Sequence, residues 1–241
     1  MDVGVLMPEY LRQSLSLSAE DWTAIWLTLR LCLYTTLILI VIATPIAWWL
    51  TSGCSASRTA VQAMVALPLV LPPTVLGFYL LITLGPRGFI GGTLEDMGLH
   101  HLAFTFEGIL IGSVLYSMPF AVQPLQQAFT NLGRRPTEEA ASLGAGPIDC
   151  FFSVILPMTK SGFIVAMTLT FAHTMGEFGV VLMVGGNIPG VTHVLSTTIY
   201  GYTEGMQYDA AGRLSLMLLI LAFIVLFVVY WFNRGFEMVK P

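Results

Sequence analysis

PTEEAASLGAGPIDCFFSVILP, residues 136–157, is the stretch whose reading decides what kind of chain this is. Arg134 and Arg135 stand just before it, and long apolar runs lie on either side. Thr137 is placed to cap a short helix with Glu138 and Glu139 in the first turn, where the helix dipole favours acids. Ala140, Ala141 and Leu143 continue that helix with small or apolar side chains. Gly144 and Gly146 suit a left-handed ending. Pro147 suits the first turn of a second helix, which carries Phe151, Phe152, Val154, Ile155 and Leu156. Pro157 is expected to break or kink it before a new apolar run. By shape alone, such an element is either a docking part or an ordinary connector between two spans.

Composition makes those neighbouring runs membrane spans. Of the 241 residues, 56% are apolar and 10% charged, whereas a soluble domain is about a quarter charged. The expected class is all-α: a polytopic membrane helical bundle with about five spans of roughly 20 residues or more. A net charge of −4 and the lack of a basic patch leave no place for nucleic acid. The lipid bilayer is the surrounding partner. Cys32, Cys54 and Cys150 have no metal-ligand or CxxC spacing and are expected to be small packing residues. The N-terminus lacks the early basic cluster of a cleavable signal, and its first apolar run is too long for one.

Working outward, residues 1–21 form a polar, acidic segment in which Ser18 and Asp21 make a capping box. The first span covers about 22–50, with Trp48 and Trp49 at its end as interfacial residues. Arg30, two turns in, either snorkels to the interface or enters a buried ion pair. The second span, about 60–84, contains LPLVLPPTVLG, and Pro68, Pro72 and Pro73 strip hydrogen bonds from several carbonyls. A helix broken there faces protein or water rather than lipid, unless it is a simple kink. Residues 85–92 are turn-rich, and His100 with His101 form a solvated surface pair. The third span, about 104–129, has Glu107 near its start and Pro119 and Pro124 inside. A fourth, about 161–184, contains His173, Gly176, Glu177 and Gly179. After an amphipathic stretch at 194–210, the fifth covers about 214–232 and a tail follows at 233–241.

Charge sets the orientation. With the 136–157 loop inside, inner segments hold Arg58, Arg134, Arg135, Lys160, Arg234 and Lys240, and outer ones hold Arg12, Arg87 and Arg213. Six against three favours an outside N-terminus and a cytoplasmic C-terminus.

Enzyme motifs are missing. The sequence contains no GxxxxGK[ST], HExxH or GxSxG and no Cys/His cluster, and His193 stands alone in its loop. No catalytic residue, metal or cofactor is therefore expected on this chain.

Gly144, nine residues, Val154, one residue, then Leu156-Pro157 resembles the EAA loop of type I ABC importer permeases. The family pattern is Glu-Ala-Ala, three residues, Gly, nine residues, Ile, one residue, Leu-Pro. The letters EAA fall at 139–141, but counting back from Gly144 puts the family's Glu at Glu138, so both acids are candidates. LPLVLPPTVLGFYLLITLGPRGFIGG (67–92) and FAHTMGEFGVVLMVGGNIPG (171–190) look like the permeases of molybdate importers, within the sulfate, molybdate and tungstate group. His173 stands where many sulfate relatives carry an Arg, which removes a fixed positive charge.

The resemblance implies a permease domain over 22–232, between an outer segment at 1–21 and a cytoplasmic tail at 233–241. It implies a homodimer in the bacterial inner membrane and separate ATPase subunits that use ATP and dock on the 138–149 helix. A periplasmic molybdate-binding protein would deliver the anion. Glu138, Glu139, Ala140, Gly144, Leu156 and Pro157 would then couple to the ATPase. Pro72, Pro73, Gly176, Glu177, Phe178 and Gly179 are the candidates for the translocation path or its gate. Glu177, the one acid deep in an apolar span, should be paired or protonated, and a structural or gating role suits it better than anion contact. Anion contacts would come from backbone amides, half-helix N-termini or hydroxyls such as Thr74, Thr170 and Thr174. The alternatives are a sulfate, thiosulfate or tungstate permease of the same group, an ion-coupled secondary transporter, or a membrane scaffold. A secondary transporter would need its own ion-binding acids in repeated halves, and no repeat is visible.

Overall fold

The structure, a computed structural model, describes residues 17–53 and 55–237, with side chains as far as Trp231. Residues 1–16 of the expected outer segment at 1–21, Cys54, and residues 238–241 of the expected tail at 233–241, with Arg12 and Lys240, lie outside the described residues. Among the described residues the chain is helical and has no strand.

Helix α1 (Ala19–Thr51) starts at the expected capping box: Asp21 N donates to Ser18 Oγ at 3.1 Å, and Ser18 N to Asp21 Oδ2 at 2.8 Å. Its 33 residues span about 50 Å, well beyond a hydrocarbon core of about 30 Å. Then come α2 (Ala56–Val70), α3 (Pro73–Leu84), α4 (Phe89–Asp96), α5 (Phe106–Leu132) and α6 (Arg135–Ser142). Next, α7 (Pro147–Cys150) runs through a π-helical turn (Phe151–Ile155) into α8 (Leu156–Met175). The chain ends with α9 (Gly179–Gly185), α10 (Leu195–Glu204) and α11 (Tyr208–Glu237).

Five segments are long and apolar enough to cross a membrane: Ala19–Thr51, Pro73–Asp96, Phe106–Leu132, Pro147–Met175 and Tyr208–Trp231. Packing shows that the second crossing is α2 plus α3, not α3 plus α4. A turn at 85–88 separates α3 from α4. On α2, Val65 packs with Leu39, Ala47, Leu125 and Phe129. On α3, Leu76, Leu80 and Leu84 pack with Val180, Val184 and Leu102. The two halves thus lie at opposite ends of the bundle, joined across Leu71 and Pro72.

Hydrogen bonds define those ends. Tyr202 on α10 donates to Asp21 Oδ1 at 2.9 Å, Leu195 N donates to Thr28 Oγ1 at 2.8 Å, and Phe104 N donates to Val184 O at 2.9 Å. The starts of α1 and α5 therefore share an end with α10 and the last turns of α3 and α9. At the other end, Arg134 Nη2 reaches Ser52 O at 3.1 Å, bringing α6 beneath the end of α1. Between them α1, α5 and α8 pack on one another around Leu39, Ala43, Ala121, Val122 and Ala166, all fully buried. Small side chains on these faces let the backbones approach closely. Helix α11 stands apart, with only 6% of its apolar window buried inside the chain.

Three expected boundaries differ from the structure. The loop after the second span contains α4, whose Glu95 Oε1 lies 2.8 Å from His101 Nδ1. The fourth span begins at Pro147, not near 161, and ends at Met175. GEFG therefore sits in the break between α8 and α9, outside any helix interior.

Candidate functional site

Two separate constellations carry the functional candidates. The first is the 136–157 element at the Arg134 end. Helix α6 starts at Arg135, three residues earlier than the capping role of Thr137 implied. Thr137 Oγ1 instead donates to Arg134 O at 2.7 Å. Pro136 explains the shift, because its ring suits the first helical turn and its missing N–H costs nothing there. Gly144 closes the helix at φ +91°, as expected, whereas Gly146 (φ −71°) is extended and caps α7. Pro157 does not break the following helix. A π-helical turn lies immediately before it, and the wider turn makes room for a ring that would collide with the carbonyl four residues back.

No residue of α6 is buried. Ala140 is half-buried, Glu138 and Glu139 are both exposed, and Leu143 is 90% exposed. Ile148 and Phe152 add apolar surface beside it. Leu156 and Pro157 lie farther along, where Leu156 packs against the α1–α5–α8 core. Structurally, then, the six coupling candidates divide between an exposed helix and the root that fixes it to the bundle.

The second constellation lies where two broken helices meet. Helix α3 starts at Pro73 and α9 at Gly179, and the two pack closely. A Cβ on Gly179 would lie 2.7 Å from Pro73 Cβ, so only glycine permits the approach. Pro72 is exposed at the break, Gly176 is exposed along a groove shared with α10 and α11, and Phe178 packs on Tyr200 with centroids 4.8 Å apart.

Glu177 does not face that groove. It is 4% exposed, and neither carboxyl oxygen has a hydrogen-bond partner among the described residues. Of the two expected courses, pairing or protonation, the described residues show no pairing. What holds Glu177 is its backbone: Ser196 Oγ donates to its carbonyl at 2.6 Å, and its N–H reaches Thr174 O at 3.3 Å. Thr35, Ser113 and Thr170 are also fully buried with unpartnered hydroxyl oxygens. Of the hydroxyls named as anion contacts, Thr74 is exposed, while Thr170 and Thr174 are buried.

Next to this hub runs a hydrogen-bonded chain that the sequence reading did not assemble. Ser117 Oγ lies 2.9 Å from His173 Nδ1 and 3.0 Å from Thr174 Oγ1, and Thr174 Oγ1 donates to Thr170 O at 2.9 Å. Its signal was present as two i, i+4 hydroxyl pairs, Ser113/Ser117 and Thr170/Thr174, on helices later seen to pack. Arg30 enters no buried ion pair among the described residues. It is exposed and lies over the rings of Phe106 (4.6 Å), at the start of α5, and Tyr34 (5.3 Å), which is compatible with the expected snorkelling.

A helical bundle with two broken helices and an exposed helix at one end is the architecture expected of a transport permease. The chain belongs to the family of binding-protein-dependent transport system inner membrane components, which matches residues 33–238. It is 53% identical over 218 residues to the molybdenum transport system permease protein ModB of Azotobacter vinelandii, covering 90% of this chain and 96% of that one. A probable sulfate transport system permease protein, cysT of Helicosporidium sp. subsp. Simulium jonesii, is 36% identical over 207 residues, 84% of this chain and 75% of its own. The fold matches that of a bacterial alginate ABC transporter solved with an alginate-bound periplasmic protein. That match has a TM-score of 0.76 at 20% identity and covers 98% of this chain and 86% of the other.

Proposed function

We propose that this chain is the membrane-spanning subunit of an ATP-driven importer that carries molybdate across the inner membrane. The observation that carries the reading is the 53% identity to a molybdenum permease over nearly the full length of both chains. The 36% identity to a sulfate permease supports the sulfate alternative less well.

Two copies would enclose the path. Separate ATPases would dock on α6 and α7 at the Arg134 end, which is cytoplasmic, and a binding protein would engage the Asp21 end outside. An exposed helix rooted in the core through Leu156 supports such a lever, since movement of α6 is transmitted to α8 rather than absorbed. No ATP-phosphate loop occurs in the sequence, which supports hydrolysis on a partner. The bulk of α11 faces away from the rest of the chain, where lipid or a second copy can cover it.

The test is uptake in cells that lack their own molybdate permease. Supplying this chain with its ATPase and binding protein should restore accumulation from trace molybdate. Restored sulfate uptake with no molybdate uptake would overturn the assignment.

A further inference from the structure

Helix α5 carries polar side chains where lipid would not tolerate them. Gln123, Gln127 and Asn131 are exposed, and Gln127 Nε2 donates to Asn131 Oδ1 at 3.0 Å. Tyr116 and Phe120 continue the same stripe toward the Asp21 end. At 100° per residue, all five fall within about 80° of arc. α5 has 27 residues, about 40 Å, so Gln123 and Gln127 lie inside a hydrocarbon layer of about 30 Å. Uncovered amides at that depth mark a face that meets water.

His173 on α8 sits at the head of this stripe. Its ring stacks on Phe120 (centroids 4.0 Å, interplanar 24°) and lies 5.0 Å from Tyr116. The hydroxyl chain behind it assigns its tautomer. Thr174 donates its hydrogen to Thr170 O, so Ser117 donates to Thr174 and accepts from His173 Nδ1–H. Nε2 is left with a lone pair and no hydrogen-bond partner among the described residues, on a ring that is half-buried. Ser117, Phe120 and Tyr116 thus fix the ring from one side and leave Nε2 to the path.

We propose that His173 Nε2 is a contact for the passing oxyanion, reached through the anion's water of hydration, at the narrow aromatic head of the polar α5 stripe. The inference rests on the oxyanion reading above and names a residue of that same path. A lone pair accepts from hydrating water without holding the dianion, as conduction requires.

Side-chain geometry supplies the test, because Asn reproduces the Nδ1 end of His and Gln the Nε2 end. Wild-type chain, His173→Asn and His173→Gln are assembled with the ATPase and binding protein in vesicles, and uptake of molybdate, tungstate and sulfate is measured per assembled complex. Asn keeps the bond to Ser117 and should lower uptake about tenfold, the scale of one lost polar contact. Gln restores a polar group toward the path and should retain at least about half of the wild-type rate. A purely structural imidazole predicts the reverse order, and that result, or equal activity of all three, overturns the proposal. Wild-type vesicles that take up none of the three anions would sink the oxyanion reading itself, and this inference with it. Independently, Gln123→Cys in a chain with its native cysteines replaced should react rapidly with a water-soluble thiol reagent. Failure to react would show that water does not reach the stripe and would also overturn the proposal.

Discussion

Glu177 is held by its main chain, not by its carboxyl group. Ser196 binds its carbonyl, and the two carboxyl oxygens find no partner among the described residues. Burying a carboxylate without a partner costs several kcal/mol, roughly, and a neutral amide of the same shape costs less. Glu177→Gln should therefore leave stability within about 1 kcal/mol of wild type or raise it. Thermal unfolding of the purified complex checks this, and a drop of many degrees would reveal a hidden partner for the acid. From the sequence, an acid deep in an apolar span was visible. Its environment was not, because Ser196, which binds its carbonyl, lies on another helix, α10. Helix periodicity fixed neither which helices pack nor which face Glu177 takes.

At the scale of elements, the 136–157 stretch was legible in outline, while its helix start at Arg135, the extended Gly146 and the unbroken chain at Pro157 were not. Gly144 and Leu156-Pro157 marked its turn and its root, and both stand where their spacing put them. The π-helical turn escaped notice because a proline in an apolar run signals disruption without saying whether the chain breaks or widens. Similarly, α4 was read as loop because its glycines, Gly91 and Gly92, look like turn residues. Gly91 is in fact buried against the carbonyls of Leu84 and Gly85. The proposed docking role of α6 yields a specific expectation. Gly144 has φ +91°, and a Cβ there would meet nothing within 4 Å, so the cost of a larger residue is in the backbone alone. Gly144→Val should cost about 1–2 kcal/mol locally, bending α6 away from its docking pose while the chain still inserts. Stimulation of the ATPase by the assembled complex should fall several-fold at normal membrane abundance. A mutant that assembles and transports at the wild-type rate would show that α6 is a connector.

For the whole molecule, five crossings place Met97 and Leu143 on opposite sides of the membrane. The number of spans was legible from long apolar runs, and the break in the second from Pro72 and Pro73. The side faced by each loop rests on a bias of charges, six against three. A reporter active only outside the cytoplasm should work when fused after Met97 and fail when fused after Leu143. Activity at Leu143 alone would invert the topology and remove the docking role of α6.

On the proposed function, molybdate passes this chain under the control of partners bound at its two ends. The most direct measurement is ATP hydrolysis by the purified permease and ATPase in vesicles, with and without the binding protein. Molybdate should stimulate hydrolysis only when the binding protein is present, and sulfate should do so poorly with that same protein. Binding of molybdate at micromolar levels by permease and ATPase alone, with rejection of sulfate, would show that the pore itself reads the anion and would contradict this account.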